Sequence, residues 1–132
     1  MDLATRDFVR RRAGGTCEYC LFPEEFSRAS HHIEHIVAKQ HGGGGDADNL
    51  ALACHRCNLR KGPNLSGIDP ASGLTTTLFH PRRKRWSGHF AIRGALIEGL
   101  TPTGRATVQV LPMNDERRLE SRSALLLRGR LN

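Results

Sequence analysis

The sequence of 132 residues predicts an α+β fold, and three features carry this prediction. Residues 31–37 combine β-branched and imidazole side chains, and residues 49–53 are mostly apolar, as in two strands. A run of four glycines at 42–45 lies between them and favours a long hairpin loop. Helical patterns precede the hairpin at 2–13 and follow it at 58–61.

The first helix has the signals of both a core-facing stripe and a defined end. Leu3, Ala4, Phe8 and Val9 recur at helical spacing. Three arginines occupy its last turn, where the helix dipole favours cations, and Gly14-Gly15 ends it. These signals predict a helix over residues 2–13.

The second half of the chain predicts a smaller α+β extension, residues 64–132, packed on a first module at 1–63. A turn-rich segment begins at Pro63, and short strands are expected at 90–92 and 95–97. Helices are expected at 102–111 and 115–127. The apolar side of the last helix is expected to consist of Leu119, Ala124, Leu126 and Leu127.

The chain is basic, with 20 Lys and Arg against 13 Asp and Glu. Residues 1–63 hold nine basic and eight acidic side chains, whereas residues 64–132 hold eleven and five. The densest basic run lies within Pro81–Trp86 and consists of Arg82, Arg83, Lys84 and Arg85. We expect this run to contact a DNA backbone, although such runs are often only solvated faces.

No segment approaches the ~20 apolar residues of a membrane span. The first seven residues lack the basic-then-apolar order of a secretory signal. The sequence therefore predicts a cytoplasmic protein without a membrane partner, in a compartment where thiols stay reduced.

The four cysteines form two pairs of equal spacing. Cys17 and Cys20 are two residues apart, as are Cys54 and Cys57, and 33 residues separate the pairs. This gap lets both thiolates of a pair reach one tetrahedral ion. The pattern predicts a structural zinc site, with redox pairs or disulfides as the alternatives.

Four side chains near the hairpin could act on a phosphodiester: Glu34, His35, Asn49 and Asn58. Hydrolysis needs a base for water, a cation for the developing charge, and a group that fixes the base. Each residue also has an ordinary interpretation, as a strand carboxylate, a surface imidazole, or a turn or cap asparagine. Neighbours in a strand point to opposite faces, so the strand must end or bend at Glu34-His35.

These motifs occur in an order that resembles one known family. The matching residues are Cys17-x-x-Cys20, Ile33 to Val37, Gly42-Gly43, Asn49-Leu50, Cys54-x-x-Cys57-Asn58 and Lys61-Gly62. Together they resemble the HNH endonuclease family, whose core is the ββα-metal, or His-Me finger, fold. The resemblance covers residues 17–62.

The resemblance implies a role for each matched residue. His35 would be the general base and Asn49 would orient its imidazole. Glu34 and Asn58 would bind a catalytic Mg²⁺ or Mn²⁺, and the cysteines would bind zinc. Glu34 stands where Asp is commoner and Asn58 where His is commoner, which makes this an H-N-N variant.

The implied activity is metal-dependent hydrolysis of DNA that leaves 5′-phosphate and 3′-hydroxyl ends. Lys61 lies one helical turn after Asn58 and is expected to contact phosphate, unless it is only a solvated helix end. Two other classes of function remain open: a zinc-stabilised nucleic-acid-binding module that does not cut, and a protein-interaction module. Nothing in the sequence indicates the oligomeric state.

Overall fold

A computed structural model describes residues 1–131 of the chain. Its helices and strands, in chain order, are α1 (Leu3–Arg12), β1 (His32–His35), β2 (Leu50–Ala53), α2 (His55–Lys61), β3 (Ser66–Ile68), β4 (Thr75–Thr77), β5 (Phe90–Arg93), β6 (Leu96–Gly99), α3 (Pro102–Val110) and α4 (Glu116–Leu127). Helices and small antiparallel sheets are mixed along the chain, so the predicted α+β class is confirmed.

The first hairpin carries the candidate site. Strands β1 and β2 pair antiparallel, with His35 opposite Leu50. The loop between them contains two 3-10 turns, Lys39–His41 and Ala47–Asn49. The predicted hairpin with its long loop is therefore confirmed.

Helix α1 packs on this hairpin through a single buried residue. Val9 lies in a small apolar cluster with Leu50 and Leu52 of β2. Leu3 and Phe8, which the sequence placed on the core-facing stripe, are exposed. The helix exists as predicted, but most of its stripe faces solvent.

Helix α2 follows β2 directly. Cys54 is its N-cap, and the Cys54 sulfur accepts a hydrogen bond from the backbone N–H of Cys57 at 3.4 Å. The helix ends at Gly62, whose φ of +50° favours glycine. This helix begins three residues earlier than the sequence predicted.

The second half contributes two further hairpins, β3–β4 and β5–β6, and the helices α3 and α4. Helix α3 packs against β3, β4 and β6. Trp86 donates a hydrogen bond from its indole to the backbone oxygen of Tyr19 at 2.8 Å, which joins this half to the first cysteine pair. The main apolar cluster contains residues of both halves, among them Tyr19, Phe22, Ile36, Phe79, Phe90, Ile97, Leu111, Met113 and Leu125.

Among residues 1–131, none of the helices has the length and apolar character that a membrane crossing requires.

Candidate metal centre and active site

The four cysteines converge on one point of the fold. Their sulfurs all lie within 4.8 Å of one another, and all four residues are buried. Cys17 and Cys20 come from the turn after α1, while Cys54 and Cys57 begin α2. In the part of the chain that the structure describes, no other group of three or more His, Cys, Asp or Glu is close enough to share an ion.

The sulfur geometry fits a tetrahedral ion. Zinc–sulfur bonds of about 2.3 Å imply sulfur–sulfur separations of about 3.8 Å. The sulfurs of Cys20 and Cys54 are 3.7 Å apart, and all four cysteines are free thiols, which excludes disulfides. Burial raises the pKa of the Cys17 thiol well above its usual range. A bound cation opposes this shift because it stabilises the thiolate. The cluster suits a structural zinc.

Glu34 lies in a buried polar network rather than at the surface. The hydroxyl of Tyr19 donates to Glu34 Oε1 at 2.5 Å. The ammonium of Lys61 is 3.4 Å from Glu34 Oε2 and donates to the backbone oxygen of Ile36 at 2.8 Å. Tyr19, Glu34 and Lys61 are 0%, 6% and 2% exposed. The network therefore links both cysteine pairs to β1, since Tyr19 lies within the first pair and Lys61 follows the second.

Burial dominates the electrostatics of this network. It raises the pKa of Glu34 to about 7, although the Lys61 ammonium and the Tyr19 hydroxyl oppose the shift. Burial also holds the pKa of the Tyr19 phenol well above its usual range, so its hydroxyl remains a hydrogen-bond donor. Near neutral pH, the Glu34 carboxyl group is thus poised between its two protonation states.

His35 is the last residue of β1, and the chain bends at Ile36 and Val37. The expected end of the strand at this point is confirmed. Glu34 faces Tyr19 and Lys61, whereas Ile33 packs on the cluster beneath α1. By strand alternation, half-buried His35 shares the face of Ile33 and points away from Glu34.

Asn49 holds the hairpin loop closed. Its amide oxygen accepts from Val37 N–H at 2.9 Å, and its amide nitrogen donates to the oxygens of Val37 at 3.0 Å and Gly44 at 2.8 Å. These bonds engage the side chain with the backbone just after His35, and in the described chain none of its bonds reaches the imidazole. Asn49 thus holds the backbone segment that follows His35, and its role in orienting the imidazole stays a prediction.

Asn58 and Lys61 lie one turn apart on α2, and so on one face of that helix. Lys61 contacts Glu34, while Asn58 is half-buried. The Lys61 ammonium is buried and bonded internally in this structure, and its expected contact with phosphate stays a prediction. Glu34 lies on β1 and Asn58 and Lys61 lie on α2, and these two elements contact each other.

The basic run borders a cleft of about 680 Å³ beside the hairpin loop. Arg83, Lys84 and Arg85 are exposed, whereas Arg82 forms an ion pair with Glu18. The cleft is lined by Arg12, Val37, Gly44, Asp46, Asp48, Asn49, His80, Pro81, Arg82 and Arg83. The sequence did not indicate that Arg12 and His80 line this cleft, because no local pattern shows that α1 and residue 80 meet at this loop.

A comparison with protein families adds an independent finding. Residues 17–64 match the model of the HNH endonuclease family. The match begins at Cys17 and covers the hairpin, α2 and all four cysteines. Neither the curated proteins nor the solved structures gave a match to the chain.

The match to the HNH model agrees with the architecture just described. The β1–β2 hairpin, α2 and the cysteine cluster are consistent with the ββα-metal core of an HNH domain that carries a zinc site. An HNH domain indicates nuclease-type activity and, with it, a nucleic acid substrate.

Proposed function

We propose that this protein is a metal-dependent HNH endonuclease that hydrolyses DNA phosphodiester bonds, with His35 as the general base. The products would carry 5′-phosphate and 3′-hydroxyl ends. The family match over residues 17–64, together with four sulfurs that converge on one point, is the observation that carries the proposal. The cysteine cluster fixes the two ends of the HNH segment, so β1 and α2 meet with little freedom.

His35 is suited to activate water because of where β1 ends. Imidazole is the commonest general base near neutral pH. An in-line displacement puts the attacking and leaving oxygens on opposite sides of phosphorus. His35 and Glu34 leave the end of β1 on opposite faces, so a phosphate at this end would have the imidazole on one side and the carboxylate on the other.

Glu34 and Asn58 would hold the catalytic ion through oxygen atoms, which suit Mg²⁺ or Mn²⁺. Glu34 Oε2 is buried and accepts no hydrogen bond, so one carboxylate oxygen remains for a ligand while Tyr19 holds the other. A divalent ion supplies stabilisation of charge on the phosphate and the leaving 3′ oxygen. Lys61 is 3.4 Å from the same carboxylate, so any ion must compete with its ammonium.

Other residues would position the reacting groups and the strand. Asn49 keeps the loop after His35 closed through three backbone hydrogen bonds, which limits the movement of His35. Arg83 lines the cleft beside this loop, exposed Lys84 and Arg85 follow it in the chain, and all three would contact the DNA backbone. Arg82 would contribute charge at the cleft while it remains paired with Glu18.

One observation favours a second candidate, a zinc-stabilised nucleic-acid-binding module that does not cut. Lys61 pairs with the carboxylate that the nuclease needs for its ion. A protein that only binds nucleic acid has no use for that ion, and the internal pair would then be purely structural.

A plasmid assay separates the two candidates. Zinc-loaded protein is incubated with supercoiled plasmid, with Mg²⁺, with Mn²⁺, or with no further divalent ion. We expect nicking only with an added ion, and we expect His35→Ala to lower its rate by at least about 10²-fold with DNA binding unchanged. His41→Ala, a change of an exposed loop histidine, serves as the matched control and should cut normally.

Two results would go against the nuclease proposal. Salt-sensitive binding by the wild-type protein without any metal-dependent nicking would favour the binding module. Full activity in the His35→Ala variant would remove His35 as the base.

A further inference from the structure

A second basic concavity lies apart from the cleft at the hairpin loop. It has a volume of about 460 Å³ and shares no lining residue with that cleft. Its lining comes from the segment before β1, the start of α2 and the first half of α4. The lining residues are Arg28, Arg56, Arg117, Arg118, Glu120 and Ser121, which we call the arginine pocket.

Two of the four arginines are held in place by the fold. Arg56 lies between the second pair of cysteines and forms an ion pair with Asp115, the N-cap of α4. Arg118 is buried, and its guanidinium lies 4.0 Å from the centre of the Phe22 ring. Arg118 also donates to the sulfur of Cys54 at 3.5 Å. These contacts fix one side of the pocket against the cysteine cluster.

The other two arginines are exposed and carry unneutralised charge. In the described part of the chain, no carboxylate lies within ion-pair distance of Arg28 or Arg117. A zinc–thiolate cluster accounts for the position of Arg118, and Asp115 accounts for Arg56. Neither the cysteine cluster nor Asp115 explains why Arg28 and Arg117 lie beside the other two arginines, because like charges so close together repel. Of the described residues that line the pocket, Glu120 is the one carboxylate and forms no ion pair with these arginines, so the pocket keeps the net positive charge of an anion-binding site.

We propose that the arginine pocket binds phosphate groups of the nucleic acid backbone, as a second contact separate from the cleft at the hairpin loop. This inference rests on the proposed nucleic acid substrate. Guanidinium groups match phosphate oxygens with paired hydrogen bonds, and the fixed arginines keep part of this geometry ready. An acidic protein segment is the other polyanion that such a pocket could take.

The position of the pocket favours nucleic acid over an acidic protein. Arg28 precedes β1, whereas Val37 and Asn49, at the far end of β1, line the first cleft. The two basic regions thus lie toward opposite ends of the strand that carries His35. A continuous backbone that runs along β1 would meet both regions, and each phosphate contact adds affinity.

Binding measurements test this without requiring cleavage. The zinc-loaded full chain is titrated with a labelled DNA duplex, by fluorescence anisotropy at several salt concentrations and with no added Mg²⁺ or Mn²⁺. For Arg28→Gln/Arg117→Gln we expect affinity to fall by roughly tenfold per arginine. We also expect the slope of log K against log salt to flatten by about 1.8, which corresponds to two lost phosphate contacts.

The control matches the change in charge. Arg6→Gln/Arg93→Gln removes two exposed arginines outside the pocket, and we expect it to change the slope by less than half as much. Zinc content and thermal unfolding of each variant establish that the fold is retained. Equal effects of the two double variants would overturn the proposal and leave an acidic protein as the fitting ligand.

A photocrosslink gives a positive readout at the pocket itself. Benzoylphenylalanine is placed at Ser121, which lines the pocket, or at Ser123, an exposed serine about half a turn away on α4. We expect crosslinks to DNA from position 121 and few from position 123. Crosslinking from neither position, or equally from both, would contradict the proposal.

These outcomes separate the pocket from the catalytic proposal. Loss of binding in the pocket variant of a protein that never cuts would uphold the pocket and reject the nuclease. Normal binding in the pocket variant of a protein that cuts would reject the pocket alone.

Discussion

The buried Glu34 carboxyl group predicts an unusual dependence of stability on pH. Its pKa is about 7 in the folded protein, against 4.5 for a solvated glutamate. Over this interval the native state binds more protons than the unfolded state, so the free energy of unfolding falls as pH rises. Glu34 therefore stabilises the fold most at low pH, and its contribution is lost as pH rises through about 7.

The magnitude follows from the shift. Each pH unit between the two pKa values changes the free energy of unfolding by about 1.36 kcal/mol. The range from about pH 5.5 to the folded-state pKa of about 7 spans about 1.5 such units. Relative to Glu34→Gln, wild-type protein should lose about 2 kcal/mol of stability between about pH 5.5 and about pH 8. The variant also removes the ion pair with Lys61, which adds an offset to the difference between the two proteins.

Denaturant unfolding at fixed zinc concentration measures this difference at a series of pH values. Effects of pH on the cysteine cluster are shared by both proteins and cancel in the difference. Glu25→Gln changes an exposed glutamate and serves as the control. The difference in unfolding free energy between wild-type protein and Glu34→Gln could instead be the same at every pH. Lys61 would then keep Glu34 ionised throughout, and our account of the network would be wrong.

Two further predictions concern the loop and the cysteine cluster. In Gly43→Ala, the new Cβ would lie 1.7 Å from the Val37 oxygen, so we expect a loss of about 1–3 kcal/mol and faster amide exchange in the loop. Gly45→Ala, with no atom within 4 Å of its Cβ, is the control, and equal effects would refute the packing argument. In Cys54→Ala/Cys57→Ala, we expect elemental analysis to find no bound zinc and unfolding to lose cooperativity, whereas unchanged zinc content would contradict the assigned site.

The hairpin and its metal framework could be predicted because their signals are local. Two cysteine pairs of fixed spacing, a glycine run and an Asn before an apolar strand each act within a few residues. The structure brings the four sulfurs together as that spacing requires. Helix α2 was also predictable, since Gly62 ends it through a backbone angle that other residues avoid.

The helix faces were less predictable because arginines replace apolar residues in the interior. On α4 the sequence favoured Leu119, Ala124, Leu126 and Leu127, but Arg118, Arg122 and Leu125 are the buried residues. Arg122 donates to the backbone oxygen of Ala95, which is far away in sequence, and to that of Met113, which precedes α4. A periodicity argument cannot anticipate a buried cation whose acceptors come from elsewhere in the fold.

The β3–β4 hairpin was missed for a similar reason. Its first strand falls in a segment rich in turn-forming residues and contains Gly67, which disfavours a strand by local preference. A Cβ at this position would lie 2.6 Å from a methyl group of Val110, so the close approach of α3 requires glycine there. The tertiary contact outweighs the local preference.

The candidate site was predictable as a set of residues but not as a set of contacts. The spacing indicated Glu34, His35, Asn49 and Asn58, yet the contacts of Glu34 with Tyr19 and Lys61 depend on how the two cysteine pairs meet. The binding of Asn49 to the loop backbone likewise depends on the conformation of the loop.

The nuclease proposal requires Glu34 and Asn58 to share a divalent ion near the end of β1, and anomalous diffraction can locate that ion. Crystals of the zinc-loaded protein would be grown with Mn²⁺ and a DNA fragment, with data collected at the manganese and zinc edges. We expect zinc at the four cysteines and manganese bonded to Glu34 and Asn58, with the Lys61 ammonium moved away from the carboxylate. Zinc at the cysteines, with Lys61 still paired to Glu34 and no manganese between Glu34 and Asn58, would contradict the account.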